Sequence, residues 1–232
     1  MRWVLGLLAG TGLLGDFGHR VDLDARGQFD AMSSKLSRSR TFHASLSFTI
    51  ACEGESHTME SRLYWERGHR VNVETRLTGI SEAAPVGLIS DGSRMIQYWE
   101  GGSAEEKTPG NLDRFLLRGL LWSGKRFFMS GLSSMDEETL EKDLSCGRLT
   151  DFRIRDRNPL QRRNAICVSY MIREDRPGTP LAQVLLWIDG RTQLPIRRET
   201  TITSGKELRI VETFLDAKVD ETIDPARFTV GR

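Results

Sequence analysis

Cysteine is scarce in this 232-residue chain, with three residues, Cys52, Cys146 and Cys167, set far apart. An odd, scattered set excludes a disulfide scaffold; in an exported protein one bridge plus one thiol is the alternative to three thiols. Histidine numbers only four, and His43, His57 and His69 fall on expected strands or turns too widely spread to suggest a metal site. Excess charge of one sign is also missing. Lys and Arg total 33 against 32 Asp and Glu, so no global field draws a phosphate backbone, and nucleic acid is not expected as a partner. HExxH, GxSxG, a Walker loop and CxxC are all absent, and no nucleophile–base pair emerges. The chain is therefore expected not to be an enzyme and to need no cofactor or metal.

What is present is an ordinary globular composition, 38% apolar and 28% charged. Met1-Arg2 precede an apolar run from Trp3 to Leu14. About 12 residues are too few to cross a bilayer, which takes roughly 20, but they suit a secretory signal peptide. A buried N-terminal element is the alternative. Gly10-Thr11-Gly12-Leu13-Leu14-Gly15 also spells a nucleotide loop, yet Gly18 follows where a helix should run, and hairpins rather than βαβ units come next. Residues 1–20 are read as the signal-like segment and 21–232 as one domain, for no repeat or Pro-rich linker divides it.

A helix is expected over 22–40, with Phe29, Met32 and Leu36 on one stripe. From Thr41 the period becomes two. Phe42, Ala44, Leu46, Phe48 and Ile50 alternate with polar residues, and two further alternating stretches, to Trp65 and to Leu77, follow short turns. That is an antiparallel meander. Asp91-Gly92 marks a hairpin between 85–90 and 94–100, and 101–108 reads as polar loop. Asn111 is placed as the N-cap of a helix carrying Leu112, Phe115, Leu116 and Leu120. A weaker helix is expected near 136–144, where Asp136, Glu137 and Glu138 suit the dipole. Strands return over 149–155, 165–172, 181–188 and 208–219, with Pro195 marking an edge, bulge or strand entry. Arg153, Arg155, Arg157, Arg162 and Arg163 gather around Asn158-Pro159, a solvated hairpin tip or a site for anionic headgroups.

The helix running into the Phe42 strand, the Ile89–Trp99 hairpin, Leu186-Trp187-Ile188-Asp189, Leu194–Glu199 and the terminal Ile223–Phe228 form a recognisable series. It is similar to the bacterial LolA/LolB-like superfamily of outer-membrane lipoprotein-sorting proteins, closest to a subgroup of predicted periplasmic proteins of unassigned function. The resemblance spans about residues 22–230. It implies an α+β fold, a strongly curved antiparallel β-sheet forming an unclosed half-barrel wrapped over a few helices. It also implies a periplasmic location and an apolar cavity for the acyl chains of lipids or lipoproteins. Membrane-protein partners in the envelope are a further implication, and the chain is expected to be monomeric.

A curved sheet that does not close needs helices across its concave face, and incomplete cover leaves a cavity. Each CH₂ moved there from water contributes about 0.8 kcal/mol, so a 16-carbon chain gains roughly 10 kcal/mol before ordering costs. Phe48, Trp65, Val73, Trp99, Phe115, Leu116, Leu120 and Trp187 are the candidate lining residues, and the same residue types equally build an ordinary core. The second reading is an envelope sensor or docking module of the same fold that binds a protein without carrying lipid.

Overall fold

The computed structural model describes residues 16–79, 84–122, 138, 140–141, 147–155, 164–173, 181–204 and 206–230. Residues 1–15 of the expected leader, Cys146, Arg157, Arg162 and Arg163 lie outside them, while residues 16–20 belong to the first helix. So does most of the helix expected near 136–144, of which Glu138, Leu140 and Glu141 are helical.

Helix α1, Asp16–Arg38, buries Ala25, Phe29, Met32 and Leu36. The first meander follows as β1 (Thr41–Cys52), β2 (Glu55–Glu66), β3 (Arg70–Leu77), β4 (Val86–Asp91), β5 (Arg94–Trp99) and β6 (Gly102–Lys107). After α2 (Leu112–Leu121) comes the second: β7 (Arg148–Arg155), β8 (Ala165–Arg173), β9 (Leu181–Asp189), β10 (Pro195–Ser204) and β11 (Lys206–Phe214). A short β12, Lys218–Val219, and a 3₁₀ turn, Pro225–Phe228, end the described chain. Every strand pairing is antiparallel, in the order β6-β5-β4-β3-β2-β1-β11-β10-β9-β8-β7, and β12 extends the β1 pairing beyond β11. The two meanders thus join where the first strand meets the last long one. Among the described residues β6 and β7 do not pair with each other, so the curved sheet is an unclosed half-barrel. This is the expected α+β class.

Alternation decides the faces. In β1, Phe42, Ala44, Leu46 and Phe48 are buried while the residues between them are half-exposed. The inner face of β9 carries Val184, Leu186 and Ile188, within the main apolar cluster. Helix α1 packs on β7 and β8, where the Phe29, Phe152 and Tyr170 rings meet at centroid distances of 5.2–5.4 Å.

Two local expectations change. Residues 102–107, expected as loop, form strand β6; among the described residues it pairs only with β5 and is largely exposed, so it has no apolar alternation to betray it. Asn111 does precede α2, but its side chain makes no capping bond; its Nδ2 instead lies 3.4 Å from Glu141 Oε2. The β4–β5 hairpin is built as its sequence suggests. Gly92 takes φ +97°, and Asp91 Oδ1 accepts from the Ser93 and Arg94 amides, each at 2.8 Å. Pro195 opens β10 beside a bulge.

Candidate functional site

The interior is the space between the inner sheet face and the helices. Six of the eight candidate residues come together there. Phe48 on β1, Trp65 on β2 and Val73 on β3 share one buried cluster with Phe115, Leu116 and Leu120 of α2. The other two lie elsewhere. Trp187 is buried on the opposite face, with Cys167 and Ile196, because in β9 it alternates with the inward Leu186 and Ile188. Trp99 is 46% exposed at the end of β5, its ring over Gly102 across the hairpin.

Helix α2 is held at both ends by groups that the expected list of lining residues omitted. At its start the Asp113 carboxylate accepts from Trp65 Nε1 at 2.7 Å, from the Gly68 amide at 3.0 Å and from the His69 amide at 3.1 Å. His69 Nδ1 stands 3.5 Å away. A carboxylate in a first helical turn also suits the positive end of the helix dipole.

At its end lies a buried ion pair. Arg198 on β10 and Glu212 on β11 sit directly opposite each other on the inner face, both side chains about 1% exposed. Arg198 Nη2 meets Glu212 Oε1 at 2.7 Å, and its Nε bonds the other carboxylate oxygen. The same guanidinium donates to Leu120 O at 2.7 Å and to Gly119 O at 3.1 Å, while Tyr170 Oη donates to Leu121 O at 3.1 Å. Three carbonyls that a helix end leaves unpaired are thereby satisfied, two of them by a cation at the negative end of the dipole. Burial opposes the charge on Arg198, but Glu212 outweighs it and holds the guanidinium protonated more firmly than usual. Burial pushes the Tyr170 hydroxyl well above the ordinary phenol range, so it stays a donor. The sequence carried a signal for this pair: Leu208, Ile210, Glu212 and Phe214 alternate, which puts a carboxylate in an apolar row and demands a buried cation nearby.

The outer face carries two clefts. One of about 390 Å³ is lined by Arg155, Gln183, Leu185, Glu199, Thr201, Glu207 and Arg209. In it Glu199 bridges Arg197 at 2.9 Å and Arg209 at 2.7 Å; although burial works against ionisation, these two arginines hold its carboxyl below the usual range. The other, about 510 Å³, lies between Arg70, Asp91, Arg94 and residues Pro225–Val230. None of the eight candidate residues lines either cleft. His43 is on the outer face, stacked on Tyr64 and 3.1 Å from Glu221. Cys52 and Cys167 are thiols on β1 and β8.

No protein-family model matches the sequence, and no curated protein matches it. Solved structures do. The chain is similar to the lipoprotein LppX of Mycobacterium tuberculosis, at 9% identity over 88% of this chain and 98% of that one, with a TM-score of 0.50. It is also similar to a LolA superfamily protein from Nitrosomonas europaea, at 8% identity over 89% and 97%, TM-score 0.38. A third similarity is to the MucA/MucB complex of Pseudomonas aeruginosa, at 16% identity over 90% of this chain and 61% of that one, TM-score 0.42. The fold is an unclosed half-barrel like that of LppX.

Proposed function

We propose that this chain is a non-enzymatic, monomeric binding protein of the cell envelope, exported to the periplasm, that holds lipid or lipoprotein acyl chains between the curved sheet and α2. The observation that carries the reading is the interior itself. An apolar wall built on Phe48, Trp65 and Val73 faces the apolar stripe of α2, and polar contacts fix that helix at both of its ends. These side chains are packed on one another, so a guest enters by parting the seam between α2 and the sheet. Each methylene then exchanges water for apolar contact at about 0.8 kcal/mol. The non-enzymatic part rests on chemistry: among the described residues, the interior's ionisable groups are paired with each other or with helix carbonyls, and no nucleophile stands beside a base.

Native mass spectrometry of protein purified gently from a Gram-negative host tests this. A co-purifying mass that tandem fragmentation identifies as an acyl lipid is expected. Repeated recovery of ligand-free protein that also takes up no fluorescent acyl probe refutes the reading. The exposed Trp99 at the tip of the edge hairpin favours a second reading, protein docking without lipid, and a stoichiometric protein partner on ligand-free chain is its signature.

A further inference from the structure

Among the described residues, the inner wall of the first meander keeps its buried polar side chains paired, with one exception. Ser61 and Thr75 hydroxyls meet at 2.8 Å, and so do those of Ser90 and Thr108. Gln97 breaks the pattern. It lies on β5 with the same parity as the core residue Met95, so its side chain belongs to the inner face, and it is only 1% exposed. Its neighbours in register are Leu88 on β4 and Ala104 on β6, and Leu88 in turn pairs with Val73, one of the wall residues. None of these side chains offers a hydrogen bond. Both Gln97 Nε2 and Oε1 are buried and without a partner.

Buried carboxamides are normally satisfied, because an unmet donor or acceptor forfeits its hydration with nothing in return. A methionine would fill the same volume without that penalty. We infer that Gln97 is the polar recognition point of the acyl-binding interior, taking the linkage region of a glycerolipid: its Nε2–H donates to the ester carbonyl, and its Oε1 accepts from a glycerol hydroxyl. The carboxamide supplies one donor and one acceptor side by side, which matches an ester carbonyl and an adjacent hydroxyl. A chain bound only through methylenes has no use for it. The inference rests on the acyl-binding reading above and adds selectivity: the apolar wall supplies affinity for any chain, and Gln97 selects the ester.

Two probes of equal chain length separate these contributions, monopalmitoylglycerol and its ether counterpart hexadecylglycerol, which lacks the carbonyl. Each is titrated below its critical micelle concentration against the full chain carrying a displaceable fluorescent acyl probe. The wild type is expected to bind the ester about tenfold tighter than the ether, the worth of about one net hydrogen bond. Gln97→Met is expected to bind both equally, no tighter than the wild type binds the ether, and to melt no lower than the wild type. Gln97→Leu serves as a second variant. Equal binding of both probes by the wild type overturns the inference, as does an ester preference that survives in Gln97→Met; in either case acyl binding itself stands, and a trapped water is the partner of Gln97. Binding of neither probe overturns the acyl-binding reading and this inference with it.

Discussion

Replacing Arg198 by methionine tests the link between the sheet and α2 most directly. Methionine keeps an unbranched apolar stem but lacks the guanidinium, so Glu212 becomes a buried carboxylate without its cation, which costs about 3–5 kcal/mol. The Gly119 and Leu120 carbonyls lose their donors as well, adding about 1–2 kcal/mol. The sum, about 5 kcal/mol, is a large share of the 5–15 kcal/mol that holds a typical domain folded. At 2–4 °C per kcal/mol for a chain of this size, the melting temperature should fall by about 10–20 °C. Glu212→Leu combined with Arg198→Met removes the stranded charge and leaves only the unmet helix carbonyls, so the double variant should be more stable than Arg198→Met alone, at about 2 kcal/mol below wild type. Urea unfolding followed by circular dichroism reads the wild type, Arg198→Met, Glu212→Leu and the double variant. A loss under about 1 kcal/mol for Arg198→Met, or a double variant at the sum of the two single effects, would refute the reasoning that this pair is a buried charge couple anchoring α2.

Other expectations concern single side chains. Asp113→Ala removes the acceptor for the Trp65 indole and the Gly68 and His69 loop amides at the start of α2, so stability should fall by about 2–4 kcal/mol and acyl-probe uptake should quicken in stopped-flow mixing. Unchanged uptake with lowered stability would show that α2 is not the moving part. Trp65→Ala should cost about 3–5 kcal/mol in urea unfolding, whereas Trp99→Ala, at an exposed tip, should stay within about 0.5 kcal/mol. Asp91 has its pKa lowered to about 2, chiefly by the Arg94 amide and then by the Ser93 hydroxyl and amide. A depressed carboxyl contributes stability above its unfolded value and loses it as pH falls through the folded one. The melting difference between wild type and Asp91→Asn should therefore be constant above about pH 4 and shrink toward pH 2, and a pH-independent difference would contradict it.

Much of this architecture was legible because alternation and turn chemistry are local. The rows Phe42–Phe48 and Val71–Val73 declared their faces, and Asp91-Gly92 declared its hairpin. Strand β6 was not legible, since a largely exposed strand carries no period. Trp187 illustrates a different limit: an apolar run covered on both faces shows burial but not which face each residue takes until register fixes parity. Trp99 has an inward parity but sits past the end of the wall, a matter of strand length against helix placement. Glu212 was visible as a misfit in an apolar row, but its partner Arg198 follows the Pro195 bulge, which shifts the alternation that would have announced it.

The seam between β1 and β11 has a consequence for how the chain acquires its shape. Leu46 pairs with Phe214 and Ile50 with Ile210, so one border of the first strand waits for residues made some 160 positions later. Hairpins of the first arm can zip as soon as their own residues exist, but the loop that must close to complete β1 is nearly the whole molecule, and such distant closures slow assembly. Until then a greasy, unpaired border of β1 is open to any neighbouring strand, an invitation to clumping at high concentration. Truncation ahead of Lys206 should make that transient hazard permanent.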